Sequence, residues 1–418
     1  MILKKLVENK AKAVKAASLE LYNLTAKKKN RLLGKIASIL LFKSKDILRA
    51  NAIDMENGRK TGLSVSLLDR LLLNEKRIEM MVAGIKEVSA LNDPVGVLYD
   101  KKHMPNGLKV ERMRVPLGAI GIIYEARPNV TIDAAVLCLK AGNSVLLRGG
   151  SEALNSNKAL VTVIKKALKM SGLPSSCVEF IDTADRAAVD IMIKQEKYLD
   201  VIIPRGGQEM IRYIIEKSSV PVIAHGEGNC HIYVGKAADL KVAGDIVFNA
   251  KTQRPSVCNA AEKLLVHKDI AAKFLPAILK RLADYGVEIR ADKAVRTIYK
   301  KAKAATESDW YKEYHDLIIG VKQVKSIEEA IKHINTYGSH HSDAVVSKDK
   351  NACRKFLREV DSAVVFSNTS TRFNDGFELG LGAEIGISTQ KLHARGPMGL
   401  TELTSSKFIV TGSGQVRK

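Results

Sequence analysis

The chain has 418 residues, 46% of them apolar and 27% charged, with 29 glycines and 10 prolines. That is ordinary globular composition, long enough for two or three domains with cores of their own, and it excludes a disordered, collagen-like or low-complexity chain. Lysine and arginine outnumber aspartate and glutamate 67 to 45, a formal charge of +22, which attracts polyanions in general: nucleic acid, acidic membrane or phosphorylated small molecules.

In chain order, the opening MILKKLVENKAKAVK breaks any secretory apolar stretch with charge, so a cytoplasmic location is expected. From Leu6 to about Leu91 apolar residues recur at three- and four-residue steps, as in Leu67, Leu68, Leu71 and Leu72 and again in Ile78, Met81, Val82 and Ile85, which predicts a helical N-terminal layer. After Pro94 the period becomes two, with Leu108, Val110 and Met113 alternating against Lys109, Glu111 and Arg112; the apolar run 119–124 follows, and two strands joined by a turn are predicted. Strands at 144–147, 178–181, 201–203 and 220–223 then alternate with helices at 155–170, 186–194 and 208–216, the pattern of a doubly wound parallel sheet. The longest apolar run, 134–139, stops at Lys140, far short of the roughly 20 residues that span a bilayer.

A second α/β stretch runs from about Cys230 to Phe366, with strands at 232–234, 263–266, 287–289, 317–319, 344–346 and 363–366 and helices including 270–283 and 327–334. Residues 367–401 are rich in Gly, Ser, Thr and Asn without clear period, which suits loops over a site. No internal repeat is visible.

Neither GxxxxGK[ST] nor GxGxxG occurs, which excludes a kinase or a standard dinucleotide fingerprint. Two other glycine pairs, in Leu147-Arg148-Gly149-Gly150-Ser151 and Pro204-Arg205-Gly206-Gly207-Gln208, follow predicted strands, where backbone N–H groups and arginines receive phosphates; a purely structural turn explains them as readily. Five cysteines, with no CxxC pair, argue against a disulfide framework and a zinc site, and no metal is expected. Cys138 lies on an apolar helix face, and Cys177 and Cys353 read as packing residues. Cys258 differs: it sits in the polar segment NAKTQRPSVCNAAE (249–262), where Lys251 and Arg254 are cations able to favour a thiolate, so it is a candidate nucleophile. Asn129, just after Pro128, reads as a helix N-cap.

The segment VPLGAIGIIYEARPNVTIDAAVLCLKAGNSVLLRGGSEALNSN (115–157) and the Cys258 loop resemble the aldehyde dehydrogenase superfamily, and the likeness continues through VIIPRGGQEMI (201–211), HGEGNCHIYV (225–234), NTSTRF (368–373) and LGLGAEIGISTQKLHARGPMGL (379–400). It implies an α/β fold: a doubly wound cofactor-binding domain (1–107 and 125–228), an α/β catalytic domain (229–366), site loops (367–400) and a small β oligomerisation element (108–124 and 401–418). In that element Phe408, Ile409 and Val410 would pair in a homo-oligomer, dimer and tetramer both remaining open. The resemblance makes Cys258 the nucleophile and Asn129 the amide that stabilises the oxyanion. It points to Arg148, Gly149, Ser151, Gly206 and Gly207 for NADPH, with Arg148 and Ser151 toward the ribose and its 2′-phosphate, and to Arg127, Arg254 and Arg395 for the charged ends of the substrate.

Where hydrolytic members of the superfamily carry a water-activating glutamate, this sequence has Ala224. The resemblance is to a branch that reduces an acyl phosphate, L-glutamyl 5-phosphate, to L-glutamate 5-semialdehyde and phosphate, using NADPH and a cysteine thioester, and the missing base fits that chemistry. The substrate would come from a separate glutamate 5-kinase, and neither specific nucleic acid nor membrane is expected as a partner. Two alternatives stand: an NAD(P)-dependent dehydrogenase for another small aldehyde, and a basic binding protein for RNA or acidic partners that has lost catalysis.

Overall fold

The apolar periodicity of the first ninety residues folds as five helices, α1 (Ile2–Tyr22), α2 (Ala26–Phe42), α3 (Ser44–Lys60), α4 (Val65–Leu71) and α5 (Glu75–Ala90), in a computed structural model that describes residues 1–224 and 226–417 apart from the Ser66 side chain. Thr25, Ser64 and Asn74 cap α2, α4 and α5 by accepting from the backbone N–H three residues on, each cap contributing about 1 kcal/mol. Next come β1 (Leu98–His103), β2 (Lys109–Pro116), β3 (Ala119–Tyr124), α6 (Asn129–Lys140), β4 (Ser144–Arg148), α7 (Leu154–Met170), β5 (Val178–Phe180), α8 (Ala187–Met192), β6 (Val201–Arg205) and α9 (Gln208–Lys217). Strands β5, β4, β3 and β6 form a parallel sheet in that order. Every residue of β3 and β4 is buried, as strands covered on both faces require; Val7, Ala11 and Val14 of α1 pack in one cluster with Ala119, Ile123, Leu146 and Ile202.

A second sheet is built from β7 (Cys230–Val234), β8 (Ala261–His267), β9 (Glu288–Ala291), β10 (Lys303–Ala304), β11 (Ile318–Val324), β12 (Ser342–Val346) and β13 (Val364–Ser367). The helices between them are α10 (Leu240–Thr252), α11 (Lys268–Asp284), α12 (Lys293–Ile298), α13 (Glu307–Tyr311), α14 (Ile327–Tyr337) and α15 (Lys350–Glu359). The sheet is parallel throughout, in the order β10-β9-β11-β8-β7-β12-β13, and its core joins Leu264 and Val266 to Phe274, Leu275 and Ile278 of α11. A short antiparallel pair, β14 (Ile387–Ser388) and β15 (Gly396–Pro397), follows.

The last strand, β16 (Thr404–Thr411), pairs antiparallel with β2 over eight residues, and β1 pairs with the other edge of β2. Two compact units result, Met1–Ala224 with Gly380–Gly386 and Met398–Lys418, and His225–Leu379 with Ile387–Pro397.

The fold class and most elements are as the sequence predicts; four details are corrected. Residues 119–124 are not the hairpin partner of β2 but an interior strand of the first parallel sheet, so the small antiparallel element is 98–103, 109–116 and 404–411 rather than 108–124 with the tail. Residues 98–103, expected within the first domain segment 1–107, thus pair into that element. Residues 220–223 form no strand: Pro221 interrupts them, leaving one bridge between Ile202 and Val222. The loop segment 367–400 is divided between the two units. Among the described residues no helix is long and apolar enough to cross a membrane, and no cluster of three or more His, Cys, Asp or Glu side chains is placed to hold a metal.

Candidate active site

In the second unit α10 ends at Thr252 and β8 begins at Ala261, and the turn between them carries Cys258. The segment before β7 packs directly against this turn: a Cβ on Gly228 would overlap the Cys258 carbonyl, so only glycine fits. The Cys230 thiol donates to the same carbonyl oxygen at 3.1 Å. From the other side the chain after β13 is tied on, Thr371 Oγ1 donating to Asn259 O at 2.7 Å and the Asn259 amide donating to Asn374 O at 2.9 Å. Cys258 is half-buried while the other four cysteines are buried. Burial pushes the Cys138 and Cys230 thiols well up and that of Cys177 to about 12, which leaves those three protonated at neutral pH. Cys177 and Cys353, read from the sequence as packing residues, are buried.

Lys251 is not a solvent-facing cation beside the thiol. Its ammonium is 3.3 Å from Glu262, and the two side chains are 0% and 1% exposed. Burial is the largest influence on both, lowering the lysine and raising the glutamate. Glu262 also accepts from Tyr314 N at 3.1 Å, so one buried pair closes the base of the Cys258 loop and anchors the chain before β11. Lys263, drawn down to about 8 by burial, donates to Asn229 Oδ1 and Lys312 O at 2.7 Å each, bracing the residue between Gly228 and Cys230. His315, at a left-handed φ of 55°, pairs with Glu313 at 3.2 Å. Its imidazole is raised first by that hydrogen bond, and the Cys258 charge adds to the effect.

Of the arginines assigned to the substrate, Arg254 is exposed on the Cys258 loop. Arg395 donates to Asp361 O and Oδ1 at 2.9 and 2.8 Å, and Lys391 pairs with the same carboxylate at 2.8 Å; its bonds are those of a loop anchor. Arg127 is half-buried in the first unit, before α6.

The remaining candidates lie at the carboxyl end of the first parallel sheet. Asn129 is not an N-cap: α6 starts at Asn129 after Pro128 without a side-chain cap bond, and the Asn129 amide donates to Asp133 Oδ2 at 2.9 Å, one helical turn on. Burial pushes Asp133 up to about 6 against the opposing pull of Asn129 and Arg205. Arg148, the last residue of β4, is 6% exposed and does not pair with Glu152; it donates to Gly149 O at 2.7 Å and reaches Asp185 O at 3.4 Å. Glu152 instead accepts from Ala126 N at 2.6 Å. Two buried donors here, Arg148 Nε and Asn157 Nδ2, have no partner among the described residues, and the Asn157 amide borders Gly149 so closely that a Cβ there would overlap it. Unanswered donors beside a glycine and an exposed Ser151 suit a phosphorylated nucleotide. After β6 the Gly207 N–H is held by Glu125 at 2.8 Å, so an anion at Gly206 and Gly207 would have to displace that carboxylate.

Sequence reasoning missed Glu262, Glu313, His315, Asp133 and Arg372. Arg372 lies within the NTSTRF segment, but spacing alone could not place that segment against the Cys258 loop.

Parallel α/β sheets joined to a cysteine turn of this kind define an enzyme of the aldehyde dehydrogenase type, and the model of the aldehyde dehydrogenase family matches residues 3–316. The chain is 54% identical over 418 residues, the whole of both chains, to gamma-glutamyl phosphate reductase of Thermodesulfovibrio yellowstonii. It is 57% identical over 413 residues to that of Caldicellulosiruptor bescii, covering 98% of this chain and 99% of the other. The crystal structure of gamma-glutamyl phosphate reductase from Thermotoga maritima, 51% identical, superposes with a TM-score of 0.97 over 99% of this chain and 100% of that one. The chain belongs to the aldehyde dehydrogenase family and, within it, to the gamma-glutamyl phosphate reductases, which makes it an oxidoreductase that uses NAD(P).

Proposed function

We propose that this chain reduces L-glutamyl 5-phosphate to L-glutamate 5-semialdehyde with release of phosphate, the second step of proline biosynthesis from glutamate, and that NADPH is the reductant. The observation that carries the reading is the presentation of one half-buried cysteine, Cys258, on a turn braced by Gly228, Cys230, Asn259 and the Lys251–Glu262 pair, while the other four thiols are buried. The Cys258 thiolate attacks the acyl carbon, a C–S bond forms, and the C–O bond breaks with its electrons leaving on phosphate. The hydride that reduces the thioester would come from NADPH when it is bound. The Cys258 backbone N–H would stabilise charge on the acyl oxygen, with Asn129 kept as the candidate for an amide donor, a kind of interaction worth several kcal/mol, and collapse of the thiohemiacetal returns the thiolate. Arg148, Gly149 and Ser151 would hold the cofactor, the guanidinium favouring a 2′-phosphate.

Arg127 remains a candidate for the substrate carboxylate, and a separate glutamate 5-kinase would supply the acyl phosphate. Phe408 and Val410 are exposed on β16, in keeping with a homo-oligomer assembled through the β1-β2-β16 sheet of a cytoplasmic enzyme. The test is direct: Cys258→Ala and Cys258→Ser should abolish NADPH oxidation driven by glutamyl phosphate while circular dichroism stays that of the parent. More than a few per cent residual activity would mean another nucleophile.

A further inference from the structure

Two arginines bear on the Cys258 turn: Arg254 belongs to it, and Arg372 bonds to it. Arg372 occupies the short 3-10 turn Thr371–Phe373 and is half-buried. Its guanidinium donates from Nε to Gln253 Oε1 at 2.8 Å and from Nη1 to Asn259 Oδ1. Gln253 precedes Arg254 and Asn259 follows Cys258, so the guanidinium bridges the turn between the neighbours of the second arginine and of the nucleophile. Both bonded partners are neutral amides, which orient Arg372 without neutralising it. Burial, then the positive charge of Arg254, disfavours its protonated form, while the charges of Asp375 and Cys258 favour it. The positive charge of Arg254 opposes that of Arg372, and a dianion bound by both would relieve the repulsion.

We propose that Arg254 and Arg372 together form the subsite for the phosphoryl group, holding it as it leaves Cys258-bound acyl carbon and holding inorganic phosphate for attack in the reverse direction. Planar guanidinium groups match the oxygens of a phosphate, and charge-assisted bonds strengthen as the bridging oxygen takes up the electrons of the broken C–O bond. In reverse, a phosphate oxygen attacks the thioester, a C–O bond forms and the thiolate leaves, with no oxidant required at that step. The proposal rests on the reading of Cys258 as nucleophile and of an acyl phosphate as substrate.

The experiment follows NADPH formation from glutamate semialdehyde and NADP while inorganic phosphate is varied, in the parent enzyme and in Arg254→Ala, Arg372→Gln and Arg372→Lys. The KM for phosphate should rise tenfold or more in the first two and less in Arg372→Lys, with the KM for NADP within twofold of the parent. Phosphate should also slow alkylation of Cys258 by iodoacetamide in the parent and lose that effect in the variants. Should Arg372→Gln not fold, Arg254→Ala decides, since that exposed side chain makes no hydrogen bond or ion pair among the described residues. A phosphate KM within twofold of the parent in both Arg254→Ala and Arg372→Lys overturns the proposal, as does an equal rise for phosphate and NADP, which would mark a structural role. A parent enzyme whose steady turnover does not depend on phosphate overturns instead the reading on which the proposal rests.

Discussion

Replacing Lys251 with methionine tests whether the buried pair holds the nucleophile's loop. At the observed 3.3 Å separation and an effective dielectric of about 20, the attraction between the two charges is about 5 kcal/mol. Desolvation of each ion costs several kcal/mol, and both groups are shifted toward neutrality with burial as the first cause, so the attraction does not cover that cost. Removing the lysine leaves Glu262 buried with the Tyr314 N–H as its remaining bond, a loss of about 3–5 kcal/mol. Lys251→Met should therefore lower stability by that amount in urea denaturation, and kcat should fall tenfold or more because the loop base opens. The double variant Lys251→Met/Glu262→Gln, which buries no unpaired charge, should recover at least half of the stability. A single variant within about 1 kcal/mol of the parent would refute the reasoning, since only a pair reached by water is that cheap to break.

Asp133 predicts a pH effect. Its carboxyl is raised to about 6, so its favourable contribution to stability is complete below the unfolded value near 3.8 and is lost as pH rises through about 6. Activity runs the opposite way, because protonation removes the ionised acceptor that orients Asn129: kcat should show an acid limb near pH 6 that Asp133→Asn abolishes, and an unchanged limb in that variant would end the assignment. Arg148→Ala should raise the KM for NADPH much more than that for NADH, measured side by side; equal rises would remove the guanidinium from the 2′-phosphate.

Much of this fold is legible because parallel strands buried on both faces read as unbroken apolar runs, as in 119–124 and 144–147. The exposed strand β1, LYDKKH, has no such run, since an edge strand with both faces near solvent is not required to be apolar. The run 220–223 looks like a strand by composition, and Pro221 at the sheet edge withholds it. At the site, Cys258 stands out through its polar loop, but the same reasoning misreads Lys251: a lysine beside a cysteine in sequence shows no sign that a glutamate eleven residues on will bury it. Asn129 reads as a cap because Asn is among the favoured N-cap residues, and its actual partner, Asp133, becomes visible only as an i, i+4 pair once the helix start is known. Arg372 needed the tertiary fold, which brings the chain after β13 onto the nucleophile's turn.

The central claim is that a thioester on Cys258 is resolved by phosphate and not by water. Incubating the enzyme with glutamate semialdehyde, which equilibrates with pyrroline-5-carboxylate, and NADP, with and without phosphate, while following the NADPH absorbance tests it most directly. The predicted result is a burst near one equivalent per active site, then slow turnover that phosphate accelerates. Steady turnover independent of phosphate, with free glutamate accumulating, would contradict it.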